Sequence, residues 1–167
     1  MCSAIFISGC GNVHQITQTN LAADHFDMAI VSSDAKGLVD FYVNALGFCE
    51  LSPFTIDQQK AAAIGFSDNG PMKVHVLSMG DKEGAGKLKI IEMENTCPAM
   101  ADNRFVDSMA GYSFMTVFVK DIDKTVDDVQ TAGGAIVKEP YNLRENKYLV
   151  LVRDPDGNTI EVIGYRL

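Results

Sequence analysis

Residues 29–51 read AIVSSDAKGLVDFYVNALGFCEL, and residues 117–134 read VFVKDIDKTVDDVQTAGG. In the first stretch an apolar run from Phe26 to Val31 gives way at Ser32-Ser33-Asp34 to a helical pattern. Leu38, Phe41, Tyr42 and Ala45 share one face, and the pattern stops at Gly47. The second stretch repeats the plan. Phe114 to Val119 is apolar, Asp121 marks the turn, Ile122, Val126 and Val129 form the inward face, and Gly133-Gly134 ends the helix. Asp121 follows Asp34 by 87 residues, and Gly134 follows Gly47 by the same 87. Two landmarks at one offset are the mark of an internal duplication. Asp34 and Asp121 thus fall at matched strand-to-helix turns, where a carboxylate caps free N–H groups. Gly47 and Gly134 are expected just past the helices, where a left-handed backbone costs glycine little.

Downstream of the first helix, strand-like segments run over 49–55, 61–66, 74–77 and 88–93. Downstream of the second they run over 135–138, 148–153 and 160–163, with a hairpin turn at Asp154-Pro155-Asp156-Gly157-Asn158. Each copy is therefore a βαβββ module of the α+β class, the first with an extra or a broken strand. A lone module is too small to bury its sheet face, so the two are expected to pair. The expected organisation is a tail over 1–24 and one domain over 25–165. Within that domain, module one spans 25–94, a polar linker 95–112 and module two 113–165.

The chain has 167 residues, 47% hydrophobic and 22% charged, ordinary values for a folded globular domain. No apolar run approaches the ~18 residues that span a bilayer. With 14 Lys and Arg against 22 Asp and Glu, the net charge is −8. That field repels nucleic acid, so the expected partner is a small molecule or another protein. Four cysteines without a CxxC pair argue against a disulfide scaffold or a structural zinc site. Ile7-Ser8-Gly9-Cys10 resembles a bacterial lipobox, although the preceding stretch is short and lacks Lys or Arg. Anchoring of an envelope lipoprotein at Cys10 is the expectation, and a cytoplasmic protein the alternative.

The stretches AIVSSDAKGLVDFYVNALGFCEL, KLKIIEM (87–93), VFVKDIDKTVDDVQTAGG and RDPDGNTIEVIG (153–164) together resemble the vicinal-oxygen-chelate superfamily. That group includes glyoxalase I, extradiol dioxygenases and bleomycin-binding proteins. The resemblance implies curved sheets enclosing a cleft, often a homodimer, and in many members a divalent metal held by one residue from the first and last strand of each module. It also implies where those residues stand here. Seven before the turn aspartates come Asp27 and Phe114; the last strands supply Lys89 and Glu161. Phenylalanine cannot coordinate, and an ammonium opposes a dication. No metal and no other cofactor are therefore expected, unless the site is remodelled.

Two details stay open at this level. A register slip of three would bring Glu92 into the position of Lys89. His75 would serve as a substitute ligand if it pointed inward, against the plainer reading of a strand residue without special role. His25 shares the strand face of Asp27, and His14 lies in the tail. Met109, Met115 and the other methionines are read as core filling. Asp121, Asp123, Asp127 and Asp128 are read as a cap and a solvated helix face. Two functional classes compete. One is a ligand-binding or sequestering protein using Asp27, Lys89, Phe114 and Glu161. The other is an isomerase, lyase or dioxygenase, with a metal-free variant in which Glu161 is the base and Lys89 stabilises an enolate-like intermediate. In that variant Lys89 and Glu161 would face each other across the cleft; the plainer alternative is a salt bridge filling the former metal position, with Lys89 paired to Asp27 or Glu161.

Overall fold

A computed structural model describes residues 20–23, 25–80, 84–93, 99, 102 and 104–167, with Met93 described by its backbone alone. The tail and Cys10 lie outside the described residues. Module one runs β1 (Met28–Ser32), α1 (Ala35–Leu46), β2 (Cys49–Ile56), α2 (Gln58–Ala63), β3 (Met72–Ser78) and β4 (Lys87–Met93). Module two runs β5 (Met115–Asp121), α3 (Ile122–Thr131), β6 (Ala135–Ile136), β7 (Tyr141–Arg144), β8 (Lys147–Arg153) and β9 (Thr159–Tyr165). The first sheet has the order β1-β4-β3-β2; the second has β5-β9-β8-β6, with β7 also on β8. In each, the first strand lies parallel to the last. That is the duplicated α+β architecture read from the repeat.

Both helices begin as their sequences require. The Asp34 carboxylate accepts the Gly37 N–H at 3.0 Å, and Asp121 accepts those of Asp123 and Lys124, each at 3.1 Å. Leu38, Phe41, Tyr42 and Ala45 of α1 are buried, as are Ile122 and Val129 of α3. Helix α1 covers the first sheet, α3 covers the second, and the helices pack on each other. One apolar core results, drawing Leu77, Leu88 and Ile90 from the first sheet and Val117, Val150, Val152, Ile160 and Val162 from the second. The modules therefore meet through their helices, and no strand of one sheet pairs with the other among the described residues.

Four expectations are corrected. Residues 61–66 form no strand. Asp57 caps Lys60 N–H at 2.8 Å and Gln58-Gln59-Lys60-Ala61-Ala62-Ala63, good helix formers, make the short α2 instead. Its Ala61 packs with Ile56, Met72, Val74 and Val76, on the sheet face opposite α1. Strand β7 was absent from the sequence reading; Glu145 and Asn146, both at positive φ (34° and 62°), turn it back onto β8. The left-handed residue after α3 is Gly133 (φ 86°), not Gly134. Gly134 is needed for space, since a Cβ there would stand 2.6 Å from the Phe41 ring and 2.8 Å from the Arg153 carbonyl oxygen. Finally, Met115 packs on the core as expected, whereas Met109 is exposed.

Candidate functional site

Strand alternation gives each sheet a face packed on the α1–α3 core and an opposite, open face, which α2 partly covers in the first sheet. On β1, Met28 and Ile30 pack on the helix-side core, so Ala29 and Val31 belong to the open face, with Asp27 one alternation before them. Ala29 is registered against Lys89, and Lys89 against Val76. In the second sheet Thr116 is registered against Glu161, and Glu161 against Leu151. Positions 29 and 116 differ by the repeat offset, so the ladders themselves make Lys89 and Glu161 equivalent. The open alternative between Lys89 and Glu92 is thereby decided for Lys89. Glu92 is registered against Lys73 on the other face and pairs with its ammonium at 3.1 Å.

His75 lies on that same helix-side face, registered against Ile90, and does not reach the open face. Its ring sits between Glu92 (Nε2 to Oε2, 3.4 Å) and Glu50 (Nδ1 to Oε1, 3.6 Å). Residue parity decides this: His75 alternates with Val74 and Val76, which pack around α2. His25 lies beside the Gly84 loop.

The structure places the four matched positions on two separate sheets and joins only Asp27 to Lys89. Lys89 Nζ pairs with Asp27 Oδ2 at 3.0 Å, and the Lys87 backbone N–H donates to Asp27 Oδ1 at 3.1 Å. Both carboxylate oxygens are thus engaged. The hydrogen bond from Lys89 is the main cause holding the Asp27 carboxyl below the usual carboxylate range. In the second sheet, the Thr116 hydroxyl donates to Glu161 Oε2 at 2.7 Å. Phe114, 43% exposed, stands just before Thr116's strand, and Phe118, 71% exposed, continues the open face with Lys147 over its ring. No hydrogen bond or ion pair joins Lys89 to Glu161 within one chain, because the open faces are the ones turned from the shared helical core. Thr116 was missed in the sequence, although its place two residues after Phe114 puts it on the same face.

As a ligand set for a divalent cation these residues fit poorly. Phe114 has no donor atom. Lys89 carries a positive charge where an oxygen or nitrogen donor would be needed, and it already neutralises Asp27. Among the described residues no group of three His, Cys, Asp or Glu is placed to hold a metal. What the faces offer is an apolar surface of Phe114 and Phe118, one carboxylate oriented by a hydroxyl, and one ammonium oriented by a carboxylate.

A duplicated βαβββ chain with matched positions on its two open sheet faces defines a class of protein. The profile of the Glyoxalase/Bleomycin resistance protein/Dioxygenase superfamily matches residues 22–162, and the chain belongs to that superfamily. It is 27% identical over 134 residues to YraH, a protein of unassigned function from Bacillus subtilis strain 168, covering 80% of this chain and 91% of YraH. A glyoxalase family protein from Bacillus cereus superposes with a TM-score of 0.73 at 17% identity, over 90% of this chain and 99% of that one. Glyoxalase I from Zea mays superposes with a TM-score of 0.60 at 14% identity, over 84% of this chain and 44% of the maize chain. At these identities the solved structures establish a shared fold.

Proposed function

We propose that this chain is a glyoxalase-fold protein that binds or sequesters a small molecule on its open sheet faces without a divalent metal. The observation that carries the reading is the Lys89–Asp27 ion pair, formed at two of the four positions where the family resemblance implies ligands. Phe114 at a third position adds apolar surface instead of a donor atom. The ligand that suits this chemistry has an apolar body for Phe114 and Phe118 and a hydrogen-bond donor for Glu161. The net charge of −8 disfavours a polyanion.

A second reading makes the chain an isomerase, lyase or dioxygenase. The observation in its favour is the common register of Lys89 and Glu161 on the two sheets, which suits a base and an oxyanion stabiliser. Against it, each side chain already has a partner within its own sheet. Location is proposed as the envelope, through lipid on Cys10, and incorporation of a labelled lipid precursor tests it. The described helices include none long and apolar enough to cross a membrane.

Elemental analysis after reconstitution with Ni, Zn, Fe(II) or Mn tests the principal reading. The expected result is no stoichiometric metal. A stoichiometric metal that disappears in Glu161→Ala overturns it and promotes the metalloenzyme. Untargeted mass spectrometry of small molecules released from the purified protein then identifies the ligand class.

A further inference from the structure

The ladders of the second sheet arrange its open face in rows. Thr116, Glu161 and Leu151 are registered in one row, Phe118, Ile163 and Leu149 in the next, and Tyr165 and Lys147 in the one after. Val119 packs on the core, so its neighbour Lys120 belongs to the open side, at the Tyr165 end of the face. Successive rows are two residues apart, about 7 Å along the strands. The middle row is apolar, and the rows flanking it carry opposite charges, the Glu161 carboxylate and the Lys147 ammonium. Along the backbone those two rows are about 13 Å apart.

Neither charge is neutralised within the fold. Glu161 accepts from the Thr116 hydroxyl at 2.7 Å, and among the described residues no cation stands within ion-pair distance of it. Arg153, one row beyond on the same face, is turned to the linker, where its guanidinium donates to the Arg104 carbonyl oxygen at 2.9 Å. Lys147 is half-buried, with Nζ 5.9 Å from the centre of the Phe118 ring, and among the described residues no carboxylate pairs with it. Lys89 on the first sheet differs in this respect, being held by Asp27. A half-buried charge has given up part of its hydration, so a ligand group of opposite sign gains by meeting it.

We propose that the open face of the second sheet binds a linear zwitterion. Its protonated amine donates to Glu161, its unbranched apolar chain lies over Ile163, Leu149 and Phe118, and its carboxylate meets the Lys147 ammonium, with Lys120 adding positive field at that end. This deepens the small-molecule reading above and rests on it, since that reading leaves Glu161 free of metal and the far end of the ligand unassigned. The direction follows from the linker contact of Arg153, which lies on the other side of Glu161, so the chain runs toward Phe118. Lys147 leans back over the Phe118 ring, which makes the gap between ammonium and carboxylate shorter than the backbone separation. An ω-amino carboxylate of octanoate length reaches roughly 10 Å between its charged ends when extended, which suits that gap.

The test titrates the whole chain with ω-aminooctanoate and follows amide chemical shifts. Octylamine and octanoate carry one charged end each, and γ-aminobutyrate is too short to touch both residues. Binding of ω-aminooctanoate is expected to be about tenfold tighter than that of either single-ended compound, the effect of one added charge-assisted contact. Glu161→Gln is expected to weaken ω-aminooctanoate and octylamine about tenfold and to leave octanoate unchanged. Lys147→Met is expected to weaken ω-aminooctanoate and octanoate and to leave octylamine unchanged. Nuclear Overhauser contacts on the unmodified protein need no variant. They are expected to place the methylene beside the ammonium near Thr116 and the one beside the carboxylate near Lys147. Absence of ω-aminooctanoate binding at millimolar concentration overturns the proposal, as does the reverse orientation. So does an affinity for octylamine or γ-aminobutyrate equal to that for ω-aminooctanoate, or a Lys147→Met variant that weakens all the compounds alike. Octylamine held at Glu161 without help from Lys147 overturns this ligand class and leaves the metal-free reading standing. A stoichiometric metal that disappears in Glu161→Ala overturns that reading whatever the zwitterion does.

Discussion

Tyr42 and Asp154 connect the modules through one buried hydrogen bond, and replacing Tyr42 by Phe measures it. The Tyr42 hydroxyl donates to Asp154 Oδ2 at 2.9 Å, from the middle of α1 to the turn between β8 and β9. The same carboxylate accepts the Asn158 backbone N–H on Oδ1 at 2.8 Å and the Asn158 side-chain amide on Oδ2 at 2.9 Å. Asp154 is only 3% exposed. Burial is the largest influence on it and pushes its carboxyl above the usual range, with the three donors pulling the other way. Burial likewise pushes the Tyr42 hydroxyl well up, so it stays protonated and donates. A hydrogen bond to a charged acceptor contributes about 1.5–3 kcal/mol, so Tyr42→Phe is expected to destabilise the fold by that amount at neutral pH. For a chain of this length that lowers the unfolding midpoint by about 3–12 °C.

The pH dependence of that cost follows from the direction of the Asp154 shift. Its folded pKa lies above that of an unfolded aspartate. The stability due to its bound proton is therefore fully present below the unfolded value and lost as pH rises through the folded one. Removing Tyr42's hydroxyl removes a donor that favours the carboxylate, which raises the folded pKa further. The cost of Tyr42→Phe is thus largest at neutral pH and shrinks as pH falls through the Asp154 titration. Urea unfolding of both proteins across that range is the assay, with an unchanged m value showing that only stability moved. A cost below ~0.5 kcal/mol at neutral pH, or one that stays constant across pH, would refute the argument.

Two further substitutions probe the open face and the packing. Lys89→Ala should return the Asp27 carboxyl toward its ordinary range, read by NMR titration, because Lys89 is the main cause of its lowering. The pair is partly exposed, so its stabilisation is expected below ~1 kcal/mol; it is present above the unfolded carboxylate range and lost as pH falls through the folded one. Gly134→Ala forces a Cβ to within 2.6 Å of the Phe41 ring and 2.8 Å of the Arg153 carbonyl oxygen. Overpacking of this kind costs about 1–3 kcal/mol, and unfolding at or near wild-type stability would show the backbone yields there.

The sequence by itself determined the duplication, both capping aspartates, the buried helix faces and the Asp154 turn. These are local signals, carried by residues a few positions apart, and each copy reinforced the other. Asp27 and Lys89, which the fold brings to 3.0 Å, were reached through the family resemblance and not through the repeat offset. What the sequence left open depended on which strand lies beside which. Short apolar runs do not reveal helix or strand, and so the Ala-rich 61–63 reads as strand until Asp57 caps it and Ala61 finds its packing partners. The face of His75 is set by ladder register with Ile90, a pairing made across fifteen residues of chain and invisible to local periodicity. The separation of Lys89 from Glu161 is a tertiary decision as well. Packing α1 against α3 joins the helix-covered faces of both sheets in one apolar core, so the faces bearing Lys89 and Glu161 are turned away from it and from each other.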